Sequence, residues 1–148
     1  MMLLSRLCLP LLLGAVTLAA EPPRAAAGWN TVSVEPMKTS IYVGSVTLAT
    51  TDFKRDGDTF TTTYEAKVRP WFWWSETGRA TITLPVAELE KLAKGGRVDF
   101  TGEGTNHKGK PRPITGYAER ADDTSGKIKV RLNADGVELI FNGNYRFK

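Results

Sequence analysis

One cysteine and one histidine are all that this chain of 148 residues holds of the two best soft-metal ligands. The single cysteine, Cys8, lies in the apolar N-terminal run. If that run is removed, neither a disulfide nor a thiolate metal site can form. The lone His107 excludes the usual imidazole zinc sites, which draw on two or three histidines. Asp52, Asp56, Asp58 and Gly57 resemble the opening of a calcium loop, but the twelve-residue spacing and its closing Glu are missing, so a hairpin turn is expected there. The chain also lacks a Gly-x-Ser-x-Gly elbow and a phosphate-binding loop. Without a cysteine nucleophile, a metal or a placed base, no catalytic residue and no cofactor are expected. A hydrolase built on paired carboxylates such as Glu65, Glu103 and Glu119 is the weakest of three alternatives.

Charge of one sign is scarce as well. Twenty basic residues stand against sixteen acidic ones, a net charge of +4. That is too small an excess for a dedicated nucleic-acid surface, and no nucleic-acid partner is expected. Beyond the N-terminus no stretch approaches the roughly 20 apolar residues that a spanning helix needs. The N-terminal run itself is shorter than that. It begins with Arg6, continues through residues 7–16, and ends in Thr17-Leu18-Ala19-Ala20. A positive start, a short apolar centre and small residues at the cut describe a secretory signal. Residues 1–20 are therefore expected to leave by cleavage after Ala19 or Ala20, taking Cys8 and leaving no transmembrane anchor. The address implied is outside the cytoplasm, in a bacterial periplasm or beyond it. Residues 21–36 read as a spacer with a short first strand over Trp29 to Val34, and 37–148 as one domain.

What remains is rich in period-2 alternation, the mark of half-buried strands. Ile41 to Thr50 reads as one strand, with Gly44 as a bulge. Thr59 to Arg69 places Phe60, Tyr64, Ala66 and Val68 on one face and Thr61, Thr63, Glu65 and Lys67 on the other. Arg79 to Leu84 follows. A helix is expected after Pro85, on the stripe Val86, Leu89, Leu92 and Ala93, with Glu88 early, Lys91 late and Gly95-Gly96 as its stop. A four-stranded meander fills the rest, from Arg97 to Phe147. Its cleanest strand sends Ile128, Val130 and Leu132 inward and Lys127, Lys129 and Arg131 outward. The whole predicts an all-β, mainly antiparallel domain of about eight strands with one short helix, folded as a small barrel or half-open β-roll.

Two clusters stand out as candidate sites. Trp71-Phe72-Trp73-Trp74 follows Pro70 and is flanked by Arg69 and Arg79. Read as strand, it sends one pair of rings to the core and leaves the other for the helix, a partner or a ligand to cover. Coplanar exposed indoles would suit a glycan or a lipid-like ligand. The second cluster is the tip carrying His107, Lys108, Lys110 and Arg112, which could hold an anionic group. The expected function is a non-catalytic envelope protein binding an apolar or amphiphilic ligand at its aromatic rim. The alternative is a structural or interaction protein whose basic stripe meets an anionic envelope polymer or a partner protein. Nothing in the sequence bears on oligomeric state.

Overall fold

The computed structural model describes residues 29–148; the expected signal over 1–20, Cys8 and residues 21–28 of the spacer lie outside that range. Ten strands and one helix follow in order: β1 (Thr31–Val34), β2 (Met37–Ile41), β3 (Gly44–Thr50), β4 (Phe53–Asp56), β5 (Thr59–Arg69), β6 (Glu76–Thr83), α1 (Val86–Ala93), β7 (Val98–Asn106), β8 (Pro111–Arg120), β9 (Ser125–Ala134) and β10 (Val137–Phe147). All pairings are antiparallel. Eight strands close a barrel in the order β5-β4-β1-β10-β9-β8-β7-β6, with β6 returning to β5. Closure removes the unpaired edges that an open sheet would expose.

The other two strands extend the first hairpin. Val32 pairs with Phe53 and Met37 with Leu48, so β1–β4 and β2–β3 share one register. One long hairpin is thus interrupted at Glu35-Pro36 and at Thr51-Asp52. Pro36 has no N–H for the ladder, which accounts for the first break. Beyond the second break β3 pairs with the far half of β5, from Ser45 opposite Arg69 to Thr50 opposite Tyr64.

The arms β1–β2 and β3–β4 run in opposite directions and the strands from β5 onward alternate, so the reversals fall at two ends. At one end lie Trp29, the Gly57 turn, α1, the turn over 121–124 and Lys148. At the other lie the Tyr42-Val43 turn and the segments 70–75, 107–110 and 135–136. Helix α1 covers the first end. Pro85 precedes it, where a missing N–H is harmless, and Gly95 at a φ of 89° stops it. Leu89 and Leu92 are its buried residues; Val86, which the stripe included, is exposed. Trp29 stacks on Phe147 beside it, ring centroids 4.0 Å apart.

Inward side chains fill the middle, among them Phe60, Phe100, Ile114, Leu132, Phe141 and Tyr145. An eight-stranded barrel has an interior about wide enough for side chains to fill. Here it leaves an apolar cavity of about 90 Å³, bordered by Leu48, Thr50, Phe60, Leu92, Phe100 and Val130 among others. Thr50 Oγ1 is buried there with no hydrogen-bond partner. Small residues let the wall bend tightly: a Cβ on Gly116 would meet the Lys129 carbonyl and the Phe100 ring, at 2.1 and 2.7 Å.

Three expectations fail. Ile41 to Thr50 is not one strand, because Ile41 pairs with Gly44 and the chain reverses at Tyr42-Val43. Gly44 is no bulge; its backbone lies where a Cβ would meet the Arg69 carbonyl at 2.0 Å. Period-2 alternation with Leu139 and Phe141 predicts Val137 inside, but it is exposed at a turn.

Candidate functional site

The end opposite α1 carries the unusual chemistry. The chain leaves β5 through a cis Arg69–Pro70 bond and must reverse within residues 70–75 to start β6. Strand alternation cannot do that. Phe72–Trp74 instead forms a single 3-10 turn, with Trp74 N–H donating to Trp71 O and Ser75 N–H to Phe72 O. The rings therefore fan out around a turn and do not alternate across a sheet. Phe72, Trp73 and Trp74 are 72%, 58% and 56% exposed, and only Trp71 is half-buried. Helix α1 lies at the other end of the barrel, so it cannot cover them.

Trp71 ties this loop to its neighbour. Its indole Nε1–H donates to the Val43 carbonyl at 3.2 Å, which sets the Tyr42-Val43 turn beside the ring cluster. Tyr42 is fully exposed and Val43 half exposed. Two adjacent loops thus present Tyr42, Val43, Phe72, Trp73 and Trp74 to solvent. The rings are splayed: interplanar angles are 68° for Trp71–Trp73, 77° for Phe72–Trp73 and 74° for Trp73–Trp74. The expected coplanar pair is absent. None of these residues borders the interior cavity.

Below the rings the barrel mouth is filled by charge. Arg112 is 5% and Glu76 14% exposed at the side chain. The Arg112 guanidinium donates from Nε to Glu76 Oε1 at 2.9 Å and from Nη2 to Oε2 at 3.0 Å, a two-pronged pair. Glu76 also accepts from the Tyr64 hydroxyl at 3.1 Å and from Asn106 Nδ2 at 2.8 Å. Arg112 Nη1 reaches Asp135 Oδ1 at 3.2 Å. Asn106 Oδ1 meanwhile accepts the backbone N–H groups of Lys108 and Lys110, which shapes the β7–β8 turn. Burial alone would push the Glu76 carboxyl up. Hydrogen bonds from Arg112 and Asn106 overcome that and hold it below the usual carboxylate range. Burial, together with the Glu76 charge, pushes the Tyr64 phenol well above its ordinary value.

The site residues expected from sequence therefore divide among four places. Trp71, Phe72, Trp73 and Trp74 form the tip, and Arg69 sits exposed at its base. His107, Lys108 and Lys110 are exposed on the next turn around the rim, Lys110 lying 3.8 Å from Asp135. Arg112 is not with them: its guanidinium points inward and is held by Glu76 and Asp135. Arg79 lies on the outer wall, beside an open cleft with Thr51, Asp52, Lys54 and Thr63. The β9 stripe is partly neutralised, since Arg131 pairs with Glu138 and Lys127 lies opposite Glu119.

Sequence reasoning missed Tyr42, Val43, Glu76 and Asn106. A signal existed for the plug: alternation through Ala118, Gly116 and Ile114 carries inward to Arg112. Among the described residues, no three of His, Cys, Asp or Glu are grouped so as to hold a metal ion, and no helix is long and apolar enough to cross a membrane.

Fold and site define a closed antiparallel barrel with an exposed aromatic end over an ion-paired mouth. No family model, curated protein or solved structure matches the chain.

Proposed function

We propose that this protein is an exported, non-catalytic binding module that engages an apolar or amphiphilic ligand with its aromatic end. One observation carries the proposal: three large rings on one loop, each more than half exposed, stand beside an exposed tyrosine and valine on the next. Isolated apolar residues on a surface need no explanation, but a contiguous group of this kind is a common mark of a contact site. The cavity of about 90 Å³ is well under the roughly 300 Å³ of an ordinary ligand pocket. The Glu76–Arg112 pair also stands between that cavity and the rings. Both features favour contact on the outside of the barrel.

Tryptophan fluorescence tests this reading. Titration with lysophospholipid should move the emission of wild-type protein, and the double variant Trp73→Ala/Trp74→Ala should lose that response. Because both indoles are exposed, the variant should keep its stability to within about 0.5 kcal/mol. An unchanged wild-type spectrum with lysophospholipid and with soluble oligosaccharides would remove the proposal.

A further inference from the structure

We propose that the aromatic end is a membrane-docking tip that enters the headgroup region of a bilayer containing anionic lipid. The inference rests on the binding reading above and names the occupant. Three observations choose a lipid surface over a discrete sugar or a second copy of the chain.

The rings come first. A flat saccharide face is gripped by rings lying parallel to it, yet the neighbouring ring pairs of Phe72, Trp73 and Trp74 cross at 77° and 74°. The headgroup region imposes no such orientation. It favours rings with an apolar body and a polar tip, which describes the indoles of Trp73 and Trp74 and the phenol of Tyr42.

Charge is the second. Four carboxylates toward this end are paired with cations, Glu76 with Arg112, Asp135 with Arg112 and Lys110, Glu65 with Lys67, and Glu138 with Arg131, while Glu103 on the outer wall has no ion-pair partner among the described residues. Arg69 and Lys108 have no ion-pair partner among the described residues. The aromatic tip is therefore flanked by free positive charge, complementary to an anionic leaflet. At the helix end the charges are mixed: Asp99 pairs with Arg97 and Asp123 with Arg120, and Lys91 and Lys94 lie at the end of α1.

The third is what the wall excludes. The outward face of β5 is Thr61, Thr63, Glu65 and Lys67, and β7 adds Glu103 and Thr105, all exposed. A barrel that spans a membrane carries an outward apolar band. This wall has none along those strands, so they offer a bilayer no apolar contact.

Vesicle co-sedimentation of the exported protein decides the matter, using phosphatidylcholine alone and phosphatidylcholine mixed with phosphatidylglycerol. Wild-type protein should bind the mixed vesicles more tightly and release them as salt rises. Trp73→Ser/Trp74→Ser should weaken binding by at least about tenfold. Arg69→Gln and Lys108→Gln should each weaken it about fivefold on mixed vesicles and little on neutral ones. Three results would overturn the proposal. Vesicle binding that the tryptophan variant leaves intact would place the contact elsewhere. A response to lysophospholipid micelles or to oligosaccharide without vesicle binding would end membrane docking while keeping the binding reading. Concentration-dependent dimerisation, lost in the tryptophan variant and without vesicle binding, would make the tip a self-association surface. If micelles, oligosaccharides and vesicles all fail, both readings fall together.

Discussion

Replacing Arg112 with methionine should destabilise the protein by about 3 kcal/mol and lower its melting temperature by roughly 10 °C. The guanidinium is the main counter-charge of a carboxylate whose side chain is only 14% exposed. Its removal leaves Glu76 buried with two neutral donors, Tyr64 and Asn106, and no adjacent positive charge. Breaking one half of a buried pair costs far more than the pair contributes, because each charge has already lost its water. The double variant Glu76→Gln/Arg112→Met should therefore recover most of the loss. Denaturant titration of the three proteins gives the comparison. A single variant as stable as wild type would mean that water reaches the barrel mouth and solvates Glu76 there.

The same pair sets an acid response. Glu76 has a folded-state pKa below its unfolded value of about 4.3. Its ionised form therefore stabilises the fold fully above that value, and this contribution is lost as pH falls through the lower, folded value. The stability difference between wild type and Glu76→Gln/Arg112→Met should be constant near neutrality and shift against wild type below about pH 4. A difference that stays flat into acid would remove Glu76 as the cause.

The largest loss from any single ring should come from Phe141→Ala, at about 3–5 kcal/mol. Phe141 is 1% exposed, among the most buried side chains of the barrel, and lies opposite Val130 on β9. A closed sheet cannot collapse onto the space left, because each strand is held on both sides. Trp73 and Trp74 are larger rings, yet the loss on their replacement is expected to be near zero. The contrast separates ring size from burial, and urea unfolding measures it directly. A loss below about 1 kcal/mol for Phe141→Ala would show that the interior relaxes around vacant space as readily as around the cavity it already has.

The barrel's strands were legible where alternation is local. Thr59–Arg69 and the inward set Phe60, Tyr64 and Val68 follow from period 2 alone, and Asp56-Gly57 and Asp135-Gly136 mark turns by their chemistry. The Tyr42-Val43 reversal was hidden because neither residue is a turn former. It is imposed by pairing, Met37–Ile41 against Gly44–Leu48, together with the close passage of Gly44 over Arg69. Topology excludes α1 as the cover for Trp71 to Trp74. In a meander successive connections fall at opposite ends, so the segment before β6 and the helix after it cannot meet. The Glu76–Arg112 pair spans 36 residues and belongs to no motif. Only the inward alternation of β8 pointed to it, and the charged turn nearby made an exposed role look natural.

Closure of the barrel by β1 and β10 has a practical consequence. The Lys148 backbone N–H donates to the Thr31 carbonyl at 2.9 Å, so Trp29 and Lys148 lie side by side at the pole farthest from the rings. A cargo, tag or solid support attached through either residue would leave the rings facing outward. The same closeness permits a circular permutant: a short linker from Lys148 to Trp29, with new ends opened in the exposed turn at Gly57, would keep every stave in place.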